Sequence, residues 1–143
     1  VFTLGGLGPT DDDLTLQAVA SAFSLQCEPH PEAVVWVSEK QRELVEKGFI
    51  DGLEMTPERL KMASIPVTSM PLRNSVGTAP GVLLELDGFR VISLPGVPAE
   101  MEAIFLERVR PLLEQWLPGG RFSVIDLWVS CGDESRLAPM LRE

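Results

Sequence analysis

The stretch Gly5-Gly6-Leu7-Gly8-Pro9-Thr10-Asp11-Asp12-Asp13 decides how this chain is read. Before it, Val1 to Leu4 is short, apolar and β-prone, which predicts a buried strand. After it, Leu14, Ala18, Ala22 and Leu25 recur at helical spacing and predict one helix face, with the helix ending near Leu25. Thr10 is the expected N-cap, placing Asp11, Asp12 and Asp13 in the first helical turn. A glycine turn between strand and helix lets backbone N–H groups approach an anion closely. Three carboxylates would repel a bare phosphate. A divalent cation between phosphate and carboxylate resolves the conflict, because Mg²⁺ is commonly held by one or two carboxylates plus phosphate oxygens. Successive helical residues turn about 100° apart, so the three acids cannot all face one point. Asp12 and Asp13 are therefore the metal candidates, and Asp11 is expected in solvent. The competing reading is that all three acids only complement the helix dipole, worth up to about 1 kcal/mol each.

Two later turns offer similar chemistry. In Asn74-Ser75-Val76-Gly77-Thr78-Ala79-Pro80-Gly81, Asn74 and Thr78 carry donors, and Gly77 and Gly81 permit close backbone approach. In Leu94-Pro95-Gly96-Val97-Pro98-Ala99-Glu100-Met101, Pro95 and Pro98 stiffen a strand-to-helix turn around Gly96. That helix N-terminus can face a second anionic group, and Glu100 in its first turn is a further metal candidate. Taken singly, each is also readable as an ordinary loop.

The rest of the chain supplies the frame. Helices are expected over Glu32 to Lys47, from Thr56-Pro57 to Ala63, and from Ala99 onward with Pro111 as a kink. Met101, Ile104, Phe105, Leu112, Leu113 and Trp116 form the apolar face of the last of these. Val82 to Leu86 and Phe89 to Leu94 are strands joined by the tight turn Asp87-Gly88. Ile65 to Gly81, with three prolines, is expected to be loop or edge strand. Gly119-Gly120 reads as a linker, followed by a strand over Phe122 to Val129 and a short helix over Glu134 to Arg142. Strands alternating with helices predict an α/β layered fold, in which ligands sit beyond the carboxyl ends of the strands. The turns after Leu4 and Leu94 are expected to open onto the same edge.

Composition narrows the partners. The 143 residues are 45% hydrophobic and 23% charged, as in a soluble globular domain. Lys and Arg number 12 against 21 Asp and Glu, for a net charge of −9, and none precedes Lys40. Nucleic acid and anionic membrane are therefore disfavoured as partners, and a site that gathers cations is favoured. Cys27 and Cys131 form no CxxC pair, and His30 is the single histidine, so cysteine-zinc and multi-histidine sites are excluded. His30 is expected in solvent, Cys27 half-buried, and Trp36, Trp116 and Trp128 in the core. No apolar run approaches the roughly 18 residues of a membrane span, and no signal peptide is visible. The cytoplasm is the expected compartment.

Taken together, the motifs at Gly5 to Thr15, Asn74 to Gly81 and Leu94 to Met101 resemble the CinA-type N-terminal domain of the molybdopterin-binding superfamily, which also holds the MoaB and MogA proteins. The resemblance covers about Val1 to Leu117, and the tail from Phe122 resembles the start of a KH-like domain. It divides the chain into residues 1–118 and 119–143. It implies a three-layer α/β/α Rossmann-like sheet with helices on both faces. The family's opening strand, helix and Gly-Asp-Glu motif are not seen before Val1. In the CinA-like branch the resemblance implies a divalent-metal-dependent pyrophosphatase acting on ADP-ribose or a related dinucleotide. In the MogA branch the same site adenylylates molybdopterin, and a non-catalytic nucleotide- or pterin-binding module is a third reading. Asp13 matches the aspartate of the MogA-type glycine motif, and Asp12 the additional acid of the CinA-like pattern. These two are the expected catalytic and metal residues. Gly5, Gly6, Gly8, Thr10, Asn74, Gly77, Thr78, Gly81, Pro95, Gly96 and Pro98 are the expected phosphate and nucleotide contacts. Mg²⁺ or a similar ion, with K⁺ as a further cofactor, and assembly into a homo-oligomer follow from the same resemblance. Met62 stands where the CinA pattern usually has glutamine.

Overall fold

The computed structural model describes residues 1–117. The expected linker, final strand and final helix, with Trp128 and Cys131, lie outside the described residues. In chain order the elements are β1 (Phe2–Leu4), α1 (Thr15–Ala22), β2 (Cys27–Pro29), α2 (Pro31–Glu46), α3 (Pro57–Met62), β3 (Ser64–Pro66) and β4 (Met70–Leu72). Then follow β5 (Gly81–Leu86), β6 (Phe89–Leu94), α4 (Pro98–Ile104), a π-helical turn (Phe105–Val109) and α5 (Arg110–Trp116).

The main sheet is mixed, in the order β1-β6-β5-β4. β5 and β6 form the expected hairpin, Leu86 opposite Phe89, and Asp87 adopts φ +50° in its turn. β4 pairs antiparallel with β5, and β1 parallel with β6. β2 and β3 make a separate antiparallel pair. Strand alternation builds the layers. Val82 is buried with Leu16, Ala33, Val37, Met62 and Ile65 beneath α1, α2 and α3. Its neighbour Leu83 is buried with Leu72, Ile92, Leu94, Ile104 and Val109 beneath α4 and α5. Successive strand residues face opposite sides, so one strand feeds two cores. Helices therefore cover both faces of the sheet, as the α/β/α expectation requires. Full burial of each large aliphatic side chain contributes about 1.5–3 kcal/mol.

Several local expectations are corrected. Thr10 is not an N-cap: α1 begins at Thr15, Leu14 precedes it without a capping side chain, and the three aspartates lie in a turn. The buried face of α1 is Leu16 and Ala20, and Leu14 is exposed. The helix stops at Ala22, and Cys27–Pro29 forms a strand because β3 offers it a hydrogen-bonding partner. β1 lies at the sheet's edge with Phe2 and Leu4 exposed, not buried. His30 is half-buried, not fully in solvent. It is the residue before α2, its N–H donates to Ala63 O at 2.9 Å, and its Nδ1 is buried. Trp36 and Trp116 are half-buried, each under an arginine, Arg73 and Arg90. The kink at Pro111 takes the form of the π-helical turn: Arg110 N–H donates to Phe105 O, five residues back. Pro111 has no N–H and its ring crowds the preceding turn, which the wider turn relieves.

Candidate functional site

Parallel pairing sets Leu4 beside Leu94, so the turns after β1 and β6 leave the sheet together. Gly5 N–H donates to Leu94 O at 2.9 Å, and a Cβ on Gly96 would lie 3.2 Å from Gly5 Cα. The two turns thus meet backbone to backbone. Gly6 adopts φ +69°, and a Cβ there would collide with Thr15 Oγ1. That hydroxyl donates to Gly5 O at 2.8 Å, and Thr15 N–H donates to Gly6 O at 3.2 Å, tying the first turn to α1.

A cleft of about 500 Å³ opens between these turns. All three sequence segments reach it. Gly5, Gly6, Gly8, Asp13, Thr78, Pro95, Gly96 and Glu100 line it, as expected of site residues. Leu7, Pro9, Met62, Ala79 and Val97 line it as well. A larger, shallower hollow of about 970 Å³ lies between α1 and α3 and includes Cys27 and Lys61, but none of the acids. Burial pushes the Cys27 thiol pKa up.

Thr10, Asp12, Asn74, Gly77, Gly81 and Pro98, expected at the site, do not line the cleft, and Thr10 and Asp12 are exposed beside it. Thr10 Oγ1 lies 2.6 Å from Asp12 Oδ1 and 2.7 Å from Asp13 Oδ2, and Thr10 N–H donates to Asp13 at 3.0 Å. Because the acids occupy a turn and not a helix, Asp12 and Asp13 do converge, on the Thr10 hydroxyl. Donation from that hydroxyl, more than any other cause, holds the Asp13 carboxyl below the usual carboxylate range, and the Lys61 ammonium adds to it. Lys61 also donates to Thr10 O. It joins the acid turn to α3 across a long stretch of sequence, and no local signal marks it.

Asn74 ties its own loop to α4. Its Nδ2 donates to Ala79 O at 2.8 Å and Glu100 Oε2 at 2.6 Å, while its Oδ1 accepts from Val76 and Gly77 N–H at 3.0 and 2.8 Å. It holds Glu100 in place. A Cβ on Gly77 would overlap the Glu100 carboxylate and displace it. Gly81 packs under Leu94 and Ile104, and Pro98 starts α4. Among the described residues no three His, Cys, Asp or Glu gather as a metal cage. The oxygens of Asp12 and Asp13 that converge, Oδ1 and Oδ2, both face the Thr10 hydroxyl.

A family model described as "Probable molybdopterin binding domain" matches residues 1–115. A protein of Aeropyrum pernix is 46% identical over all of this chain, which covers 51% of that relative. One of Caldivirga maquilingensis is 45% identical, with 52% of it covered, and one of Pyrococcus abyssi is 40% identical over 97% of this chain and 54% of its own. The chain thus spans about half the length of the curated relatives it matches. The crystal structure of the protein CinA, of unknown function, from Thermoplasma acidophilum superposes with a TM-score of 0.67 at 38% identity, covering 78% of this chain and 61% of that one. No helix among the described residues is long and apolar enough to cross a membrane.

Proposed function

The chain belongs to the family of probable molybdopterin binding domains, and from that premise we propose that its cleft binds a nucleoside diphosphate derivative and hydrolyses the phosphoanhydride, ADP-ribose being the expected substrate. One observation supports the reading: two glycine turns far apart in sequence, with Asp13 beside the first and Glu100 beside the second, line a single cleft. Backbone N–H groups of the turn at Gly6 to Gly8 bind one phosphate, and the Pro95–Val97 turn faces the other. Asp12 and Asp13 hold a divalent cation, and Thr10 and Lys61 keep the acid turn in place. When bound, the cation supplies charge neutralisation and eases deprotonation of water. Glu100, one oxygen fixed by Asn74, presents its carboxylate at the cleft wall to accept the proton of the attacking water. The water oxygen bonds to phosphorus, the bridging P–O bond breaks, and AMP and ribose 5-phosphate leave.

Incubation of the chain with ADP-ribose and Mg²⁺, followed by separation of products, tests the reading. AMP and ribose 5-phosphate are expected from the native chain, and neither from Asp13→Ala of unchanged circular dichroism. Equal turnover by Asp13→Ala contradicts the assigned role. Adenylylation of molybdopterin by ATP, with ADP-ribose left intact, contradicts the reaction.

A further inference from the structure

Two carboxylates of the last helical stretch reach one loop. Glu100, in α4, accepts from Asn74 Nδ2 at 2.6 Å. Glu107, in the π-helical turn, accepts from Ser75 Oγ at 2.8 Å. Neighbouring loop residues are thus fastened to helix positions about two turns apart. The loop also closes on itself, because Asn74 Oδ1 accepts from Val76 and Gly77 N–H at 3.0 and 2.8 Å. That bend lays Gly77 against the Glu100 side chain, with no room for a Cβ between them. Asn74 and Gly77 do not line the cleft, and both touch Glu100, which does. The next two residues of the loop, Thr78 and Ala79, line it too.

We propose that loop 74–77 is a clip that sets the Glu100 carboxylate, and that Ser75 and Glu107 are the positioning residues that hold the clip shut. This rests on the reading of Glu100 as the proton acceptor and goes beyond it. A glutamate side chain is flexible, and a base is effective only within hydrogen-bond reach of the proton it takes. Asn74 engages one carboxylate oxygen, which leaves the other for the water. Gly77 closes off one side of the carboxylate. The clip is itself a loop, and its outer bend at Ser75 and Val76 is exposed. The Ser75–Glu107 bond ties that bend to the helical stretch that carries Glu100, so clip and carboxylate share one support. A charged acceptor makes this a stronger tie than a neutral pair would.

Ser75→Ala, Glu107→Ala, their double variant and Glu107→Gln are compared with the native chain by two readouts. Hydrogen exchange at the Gly77 amide, followed by NMR, reports the clip without reference to activity. Each alanine variant is expected to speed it about threefold to tenfold, and the double variant no more than either alone. Hydrolysis of ADP-ribose with Mg²⁺ reports the carboxylate. The alanine variants are expected to lose about the same factor in kcat at unchanged KM, as when a group acts only in the transition state. Glu107→Gln, whose amide oxygen still accepts from Ser75, is expected to restore both readouts. Unmoved Gly77 exchange, or an unmoved kcat whether or not KM rises, overturns the proposal and leaves the hydrolysis reading standing. Absence of turnover by the native chain overturns the hydrolysis reading and the proposal with it.

Discussion

Thr10 has one hydroxyl proton and two carboxylates within reach of it. Its donation stabilises the charged form of Asp13, whose pKa is lowered on folding. A carboxyl depressed in this way lends stability above its unfolded pKa, and that stability is lost as pH falls through the folded value. Thr10→Val should therefore raise the Asp13 pKa toward the ordinary range, read from the side-chain carboxyl in an NMR titration. The stability gap between variant and native chain should close in acid, and an unmoved pKa would count against the arrangement. Asn74 is a second residue whose worth lies in support. Its amide serves Ala79, Glu100, Val76 and Gly77 at once. Asn74→Ala strands these groups and should cost about 1–3 kcal/mol in urea denaturation. A neutral result would show that water replaces the side chain.

At the scale of elements, β5 is where sequence and structure agree most closely. Val82 to Leu86, apolar but for Glu85, ends at Asp87-Gly88 and feeds cores on both faces. Leu83 is 2% exposed, so Leu83→Ala should lose about 2–5 kcal/mol, measured as a shift in the urea midpoint at constant slope. The same legibility extends to α2, to α3 with Thr56 accepting from Arg59 N–H, and to the apolar face of α4 and α5. It fails at α1. Three aspartates after a threonine have every local mark of a helix start, yet Thr10 turns its hydroxyl onto Asp12 and Asp13, and the helix waits until Thr15. Side chains that bond their own neighbours compete with helix formation, and here the competitor wins. β2, β3 and β4, three residues each, exist through their partners and have no periodicity of their own to read.

Across the whole molecule, the site is a product of topology. Motifs near residues 5, 78 and 96 are legible as pieces in the sequence, and parallel pairing of β1 with β6 is what brings the first and last of them into backbone contact. Met62 is marked in the sequence only as a departure from the family pattern, and the contribution of Lys61 is not legible, because it depends on where α3 settles. The central claim is that the acid turn and the glycine turn share one cation with one phosphate. Crystals grown with Mn²⁺ and ADP-ribose, examined for anomalous scattering, test it directly. The account predicts a manganese peak between the Asp13 carboxylate and a phosphate seated on the turn at Gly6 to Gly8. A phosphate bound elsewhere, or manganese density remote from Asp12 and Asp13, would contradict it.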